Sequence, residues 1–211
     1  LFLMGKYLEK TENTDLPEYW KKGISLALKK IQSLMQDGIT QVSEENTTVY
    51  LMDNLEVWKG LYELEHAGLK DVKAISEMRK KIQEQIEKIF WDDANQRWRI
   101  IGNSDLYDQT EFYPDGVVQI YPLIYEFPVK EKKKQKILYD QFTEKFQWQK
   151  LNKKRTGFLW AMTGMAAAQM GDINNLVELI ENYETEYCEN RKYPLYTGEA
   201  GWICMECEKL Y

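Results

Sequence analysis

Residues Val49 to Ala67, VYLMDNLEVWKGLYELEHA, hold the strongest structural signal in this chain. A helix with this sequence is apolar almost all the way round, yet Asp53, Asn54 and Glu56 lie within its first two turns. Such a helix belongs in a protein interior, where carboxylates are costly unless they are paired, hydrated or used. The start of this helix is therefore predicted to form the floor of a site.

Outward from this stretch, the chain alternates between two kinds of predicted helix. The segments that are apolar or small on all sides are 50–66, 114–126, 157–170 and 198–210, and the opening LFLMGKYLEK resembles the tail of one more. The segments with one apolar face are 16–37, 71–91, 130–148 and 172–187. Helices of the first kind need cover on every side, so the pattern predicts an all-α fold in which an inner layer is wrapped by an outer one. The order inner, outer, inner, outer is typical of stacked helical hairpins.

Two segments depart from this pattern. Residues 114–126 contain β-branched residues and Pro122, which leaves a strand or a broken helix open; we predict a kinked helix with Pro114 in its first turn. Residues 90–101 predict a small β-hairpin around a DDANQ turn. Helix is expected elsewhere.

Composition excludes several classes of protein. The 211 residues are 44% hydrophobic and 29% charged, which is typical of one globular, helix-favouring domain spanning 1–211. A net charge of -6 argues against nucleic-acid binding, and the basic run from Lys130 to Lys136 is interpreted as the solvated start of a surface helix. No run of about 20 apolar residues is present, so no membrane span is predicted. The chain opens on Leu1, which leaves localisation open between secreted and cytoplasmic.

The sequence predicts no metal site and no cofactor. Cys204 and Cys207 have CxxC spacing but lack a second pair, and together with Cys188 they are expected to be buried structural thiols. His66 lies far along its helix from Asp53 and is interpreted as structural. Phosphate-binding loops and Cys/His catalytic sets are not found, which argues against acyl or phosphoryl transfer.

The unusual polar and aromatic residues are predicted to meet in space. If short connections alternate inner with outer helices, every inner helix runs in the same direction and the N-terminal ends gather on one surface. The residues expected there are Tyr50, Asp53, Asn54, Glu56, Tyr113, Asp115, Gln119, Trp160, Tyr196, Glu199 and Trp202. Helix N-termini carry partial positive charge, which favours carboxylates at this end.

Carboxylates beside aromatic rings are suited to carbohydrate chemistry. Glycosidic cleavage uses one acid and one base or nucleophile, rings stack on sugar faces, and the amides of Asn54 and Gln119 suit hydroxyl groups. Structural explanations remain open for each residue. Asp53 could cap its helix together with Glu56, and Asp115 could be only a first-turn acid. Trp58, Trp160 and Trp202 could each be a core residue.

Four segments resemble, in order, parts of bacterial proteins of the six-hairpin glycosidase superfamily, the (α/α)6 toroid glycoside hydrolases. They are YLMDNLEVWKGL (50–61), EFYPDGVVQIYPLIYEF (111–127), GFLWAMTGMAAAQMGD (157–172) and YPLYTGEAGWICMECEKL (193–210). The resemblance spans roughly residues 45–211, and YPDGxxQxYP and EAGW are its most distinctive motifs. It implies a toroid with a sugar-binding cleft at the inner-helix N-termini and often an inverting mechanism with two acids. By motif match, Asp53 and Asp115 are the first candidate catalytic carboxylates and Glu199 is the third.

The chain is shorter than a complete toroid of twelve helices. We count four hairpins and the tail of a fifth inner helix, so at least one hairpin is expected to be missing on the N-terminal side, where such proteins often place the proton donor. The leading hypothesis is a glycoside hydrolase acting on an oligo- or polysaccharide. The alternative is a non-catalytic helical scaffold that binds a glycan or protein. A terpenoid-cyclase-type toroid is weaker, because Asp92 and Asp93 lie in a predicted turn rather than in a DDxxD helix motif. The sugar, its linkage, the stereochemistry and the oligomeric state are left undecided.

Overall fold

A computed structural model describes residues 1–11, 16–68, 72–102, 104, 111–151, 160–191 and 195–210. The described chain is mostly helical, as the sequence predicts. It divides into two compact units, unit 1 (Leu1–Tyr107) and unit 2 (Asp108–Tyr211), and each is described by itself.

Unit 1 combines four helices with two short hairpins among its described residues. Its elements are α1 (Phe2–Thr11), α2 (Glu18–Leu34), β1 (Met35–Gln36), β2 (Ile39–Thr40), α3 (Leu51–His66), α4 (Val72–Phe90), β3 (Trp91–Asp92) and β4 (Arg97–Trp98). The predicted hairpin near 90–101 is confirmed, with Trp91 opposite Trp98. The hairpin of β1 and β2 was not predicted, and the expectation of helix there is wrong. Asp37 and Gly38 turn this hairpin with φ of 52° and 86°, as a type I′ turn requires.

Helix α3 is the core of unit 1. Leu51, Leu55, Leu61 and Leu64 are fully buried, and α1 and α4 pack against the helix. Two glycines lie where α1 and α3 touch. A Cβ atom added to Gly60 of α3 would lie 3.1 Å from Leu1, and one added to Gly5 of α1 would lie within 3.0 Å of Glu63. Leu1 therefore lies beside Gly60 and Gly5 lies beside Glu63. Because the residues of the two helices meet in the same order, α1 and α3 run in the same direction. The enclosed environment predicted for α3 is confirmed.

Unit 2 contains five described helices. They are α5 (Val117–Ile124), α6 (Lys132–Phe146), α7 (Thr163–Met170), α8 (Ile173–Tyr183) and α9 (Thr197–Cys207), with wide turns at Phe112–Gly116 and Glu184–Glu189 and a short 3-10 turn at Trp148–Lys150. All eight residues of α5 are buried although Pro122 lies inside the helix. The break falls at Tyr113, whose extended backbone (φ -131°, ψ 134°) precedes the helix. The predicted helix is thus confirmed over Val117–Ile124, whereas Pro114, predicted for its first turn, lies in the wide turn before it.

Helices α5, α7 and α9 run in the same direction. Near their starts, Trp160 contacts Tyr113 and the Ala161 amide donates to Glu199. At the opposite end of the three helices, Glu126 Oε1 accepts hydrogen bonds from Gln169 Nε2 at 2.9 Å and Lys209 Nζ at 2.8 Å. Contacts that match start to start and end to end require parallel helices. The common direction predicted for the inner helices therefore holds inside unit 2, whereas closure into a toroid stays a prediction.

Helix α9 is more exposed than the sequence predicts. Ile203 and Glu206 are its buried residues, while most of its other residues are exposed or half-buried. The expectation of cover on every side of 198–210 is therefore wrong. The thiol prediction is wrong for the same reason, because Cys188 and Cys204 are exposed and Cys207 is intermediate. Among the described helices, none combines the length and the apolar character needed to cross a membrane.

Candidate functional site

The start of α3 in unit 1 is fixed by both hairpins. The Leu51 amide donates to the Ile100 carbonyl at 3.0 Å, and the Gly102 amide donates to Val49 at 3.0 Å, so the chain after β4 pairs with the residues before α3. On the other side, the Asn54 side chain bonds to Thr40 in β2. These contacts give the first turn of α3 a defined position.

The predicted residues at this end differ in how open they are. Asp53 and Glu56 are exposed, and Tyr50 is half-buried. Partial burial of Asp53 raises its pKa above the usual value of 3.8. The alternative that Asp53 caps the helix is wrong, because α3 begins at Leu51 and Tyr50 is the N-cap residue, without a side-chain cap. Asp53 and Glu56 are therefore oriented toward the surface of unit 1.

Asn54 is engaged by the fold. Its side chain is fully buried, and its Oδ1 accepts from the Thr40 amide at 2.8 Å and the Thr40 hydroxyl at 2.7 Å. Its Nδ2 donates to the Thr40 and Tyr50 carbonyl oxygens, both at 2.9 Å. All four hydrogen-bonding positions of the amide are thus filled by protein. This placement gives Asn54 a structural role in place of the predicted role in substrate binding.

Two more predicted structural residues lie along α3. His66 stacks on Tyr62 with ring centroids 3.9 Å apart, and one of its ring nitrogens is 2.8 Å from the Tyr62 carbonyl oxygen. Trp58 is buried, and its indole N–H donates to Gln83 at 3.2 Å. The structural interpretation of His66 fits these contacts, and Trp58 is a core residue.

In unit 2, an aromatic pair lies at the starts of the parallel helices. Tyr113, 46% exposed, packs against Trp160 with ring centroids 4.8 Å apart, and Phe112 packs edge-to-face behind Trp160 at 5.8 Å. Trp160 has φ of +57°, which is rare for a bulky side chain. Such backbone strain persists only where surrounding contacts enforce it, and it is found often at functional sites. The pair is therefore a supported aromatic surface with one open ring.

Glu199 lies next to this aromatic pair. It belongs to the first turn of α9, and its Oε2 accepts a 2.7 Å hydrogen bond from the amide of Ala161, the residue after Trp160. Burial raises the pKa of Glu199, and the hydrogen bonds from the Ala161 and Trp160 amides offset this only in part. The carboxyl group therefore holds its proton to a higher pH than an exposed glutamate.

Asp115 and Gln119 are placed before and within α5. Asp115 is 6% exposed and lies in the wide turn that carries Tyr113, two residues before the helix begins. Gln119 is 5% exposed, and its Nε2 donates to the Asp115 carbonyl oxygen at 3.3 Å. Asp115 thus lies on the same short segment as the open tyrosine ring, while the Gln119 amide is partly used by the backbone.

The last two predicted residues lie at different places along α9. Tyr196 is 52% exposed and is the N-cap residue of the helix, so it lies at the same end as Glu199. Trp202 instead packs edge-to-face on Tyr125, which follows the last residue of α5, with ring centroids 5.9 Å apart. Trp202 therefore lies toward the other end of the parallel helices. Its predicted place beside the other aromatic residues is corrected, because five residues of helix carry it away from the N-terminus.

Sequence reasoning missed Glu206, a second buried carboxyl on α9. The residue is fully buried, and burial raises its pKa from 4.5 to about 9. Its sequence neighbours Met205 and Cys207 give little indication of this. The one available signal was the spacing of seven from Glu199, which puts both carboxyls on one face of the helix.

Neither a metal-binding cluster nor a known relative assigns a function to these residues. Within the described ranges, no three His, Cys, Asp or Glu side chains cluster so that they could hold a metal ion. No protein-family model matches the sequence, and comparison with curated proteins and with solved structures finds no significant relative. The functional interpretation therefore depends on the geometry within each unit and on the resemblance stated above.

Proposed function

We propose that this chain is a glycoside hydrolase-like protein that acts on an oligo- or polysaccharide at the N-terminal ends of its inner helices. The observation that carries the proposal is the position of Glu199. Its carboxyl group is hydrogen-bonded to the residue after Trp160, whose ring supports the exposed ring of Tyr113. A carboxyl whose pKa is raised by burial and an aromatic surface are thus joined in one structure.

The pKa of Glu199 suits the role of the acid. Protonating a glycosidic oxygen near neutral pH requires a group that still carries its proton there, and enzymes commonly achieve this by burying a carboxyl. Burial raises the pKa of Glu199 in this way. The open face of Tyr113 suits the C–H face of a sugar ring, and Tyr196 at the start of α9 offers a second exposed ring.

A second carboxyl is needed opposite the acid. Asp115 shares unit 2 with Glu199, and Asp53 occupies the corresponding first turn of α3 in unit 1. Asp115 is therefore the candidate partner of Glu199 within unit 2, and Asp53 is the carboxyl that the resemblance implies for unit 1. The carboxyl that pairs with Glu199 would lie about 5–5.5 Å away in a retaining enzyme and about 6.5–9.5 Å away in an inverting one.

The second candidate function is a glycan-binding scaffold without hydrolysis. It is favoured by the same hydrogen bond, because an acceptor on the Ala161 amide also stabilises the turn that leads into α7. In that case Glu199 would hold α7 and α9 together and perform no chemistry.

A glycan panel assayed for both binding and new reducing ends separates these functions. With a responsive glycan, Asp53→Asn, Asp115→Asn and Glu199→Gln are each compared with the wild type. Glutamine keeps an oxygen acceptor for the Ala161 amide, so Glu199→Gln removes the acid while preserving the helix contact. Glu181→Gln, at an exposed position of α8, is the matched control and should behave as wild type.

The expected result is hydrolysis that Glu199→Gln abolishes and that at least one aspartate variant also abolishes. Normal rates in both aspartate variants would remove Asp53 and Asp115 from the proposal. Binding without hydrolysis in the wild type would favour the scaffold.

A further inference from the structure

The carboxyl group of Glu206 is buried where its charge has no compensation. The residue is fully buried between α9 and α7, and within the described part of the chain neither carboxyl oxygen has a hydrogen-bond partner. The Met165 amide faces this carboxyl and offsets the effect of burial on its pKa only in part, because it donates to the Met162 carbonyl oxygen at 3.2 Å. An ionised carboxylate in such surroundings is strongly disfavoured, so the group is neutral in the folded protein at neutral pH.

Helix α7 approaches this carboxyl at a glycine. A Cβ atom added to Gly164 would lie 2.5 Å from Glu206 Cδ and 2.6 Å from each of its oxygens. The two helices are therefore in contact through the carboxyl itself. There is no space at this contact for the hydration that a charged group needs.

Glu199 depends on the same helix contact. It lies two turns before Glu206 on the same face of α9, and its partner Ala161 lies three residues before Gly164. A movement of α9 away from Gly164 would therefore also lengthen the bond between Glu199 and Ala161.

Among the residues that the structure describes, the groups that face Glu206 do not supply a positive charge. Residues 163–170 of α7 include no ionisable side chain. On α9 the facing groups are Glu199 and Cys207. On α8, Tyr183 interacts with Glu199, and beyond α5 the ammonium of Lys209 is paired with Glu126.

We propose that Glu206 is a positioning residue for Glu199: its neutral carboxyl lets α9 lie against Gly164, and loss of its proton moves α9 off α7 and releases Glu199 from the Ala161 amide. This inference rests on the proposed function, because it is regulation of that same site. It makes the contact between Glu199 and the Ala161 amide depend on a proton held two helical turns away.

The test follows the Ala161 amide by ¹⁵N NMR from pH 6 to pH 10.5, in a background where all three cysteines are serine so that thiols do not titrate. The expected result is a shift of the Ala161 resonance with a midpoint near 9, which Glu206→Gln abolishes. Glu206→Met, which fills the same space without ionising, should also abolish it and serves if the glutamine variant folds poorly. Glu199→Gln should retain the transition, because the titrating group is still present.

The outcomes separate this inference from the proposed function. An Ala161 resonance that does not move between pH 7 and pH 10, or a transition that persists in Glu206→Gln, would overturn the role of Glu206, whatever the activity. Loss of hydrolysis alone bears on the proposed function, because the NMR measurement needs no substrate.

Discussion

Replacing Asn54 with alanine is expected to lower the free energy of unfolding by about 3 kcal/mol. The change removes four hydrogen bonds, three to Thr40 and one to Tyr50, at a fully buried position. The Tyr50 carbonyl oxygen keeps a second donor, the backbone amide of residue 54 at 3.2 Å, so losing the side-chain hydrogen bond to Tyr50 costs little free energy. The Thr40 hydroxyl can turn to another partner. The main cost is the buried amide and carbonyl of Thr40, each worth about 1–3 kcal/mol when left unpaired.

Urea denaturation followed by far-UV circular dichroism measures this cost. Asn46→Ala is the control, because Asn46 is exposed and its side chain accepts one hydrogen bond, from the Thr48 amide at 3.1 Å. It should lose less than about 1 kcal/mol. Asn54→Asp keeps both accepted bonds but turns two donors into acceptors that face carbonyl oxygens, so it should be at least as destabilising above pH 5. A loss below about 0.5 kcal/mol in Asn54→Ala would refute the structural role of this side chain.

Three further predictions concern the contact of α7 with α9 and the surface of unit 2. Gly164→Ala should cost about 1–3 kcal/mol by overpacking against Glu206, whereas Gly198→Ala, with open space around its Cα, should cost nothing measurable; thermal unfolding of the two variants tests this, and equal stability would contradict the contact. Because burial raises the folded pKa of Glu206 from 4.5 to about 9, the unfolded chain releases this proton first, so the folded protein should lose stability as the pH rises from about 4.5 to about 9. Urea titrations at several pH values should show this slope in the wild type and not in Glu206→Gln, and parallel curves would contradict it. Cys188 and Cys204 should react with Ellman's reagent in the folded protein at rates insensitive to urea below the unfolding transition, and protection until unfolding would contradict their exposure.

The helices could be predicted because their signals are local. The period of the apolar residues located α4 and α8 to within a few residues, the continuous apolar stretch located α3, and the DDANQ turn located the hairpin of β3 and β4. The common direction of α5, α7 and α9 also followed from the sequence, since each connecting helix returns the chain to the same end.

The remaining features depend on tertiary contacts. The Asp37–Gly38 pair is a strong signal for a hairpin, but the amphipathic pattern of 16–37 reached as far as Asp37 and favoured helix there. Asn54 resembled a ligand-binding amide because its partner Thr40 becomes its neighbour only after that hairpin forms. The unpaired burial of Glu206 could not be predicted because it is decided by the approach of Gly164 from another helix.

The central claim is that the rings near Trp160 bind a sugar while Glu199 reacts with it. Isothermal titration and a reducing-end assay on one responsive glycan measure the two roles separately. Glu199→Gln should bind within about threefold of the wild type and hydrolyse at least 100-fold more slowly, because general acid catalysis is typically worth 10²–10⁴-fold. Tyr113→Ala should bind about fivefold or more weakly, since a stacked ring contributes about 1 kcal/mol. Hydrolysis at the wild-type rate by the Glu199→Gln variant would contradict the catalytic role of Glu199. Unchanged glycan affinity in the Tyr113→Ala variant would contradict the role of the rings.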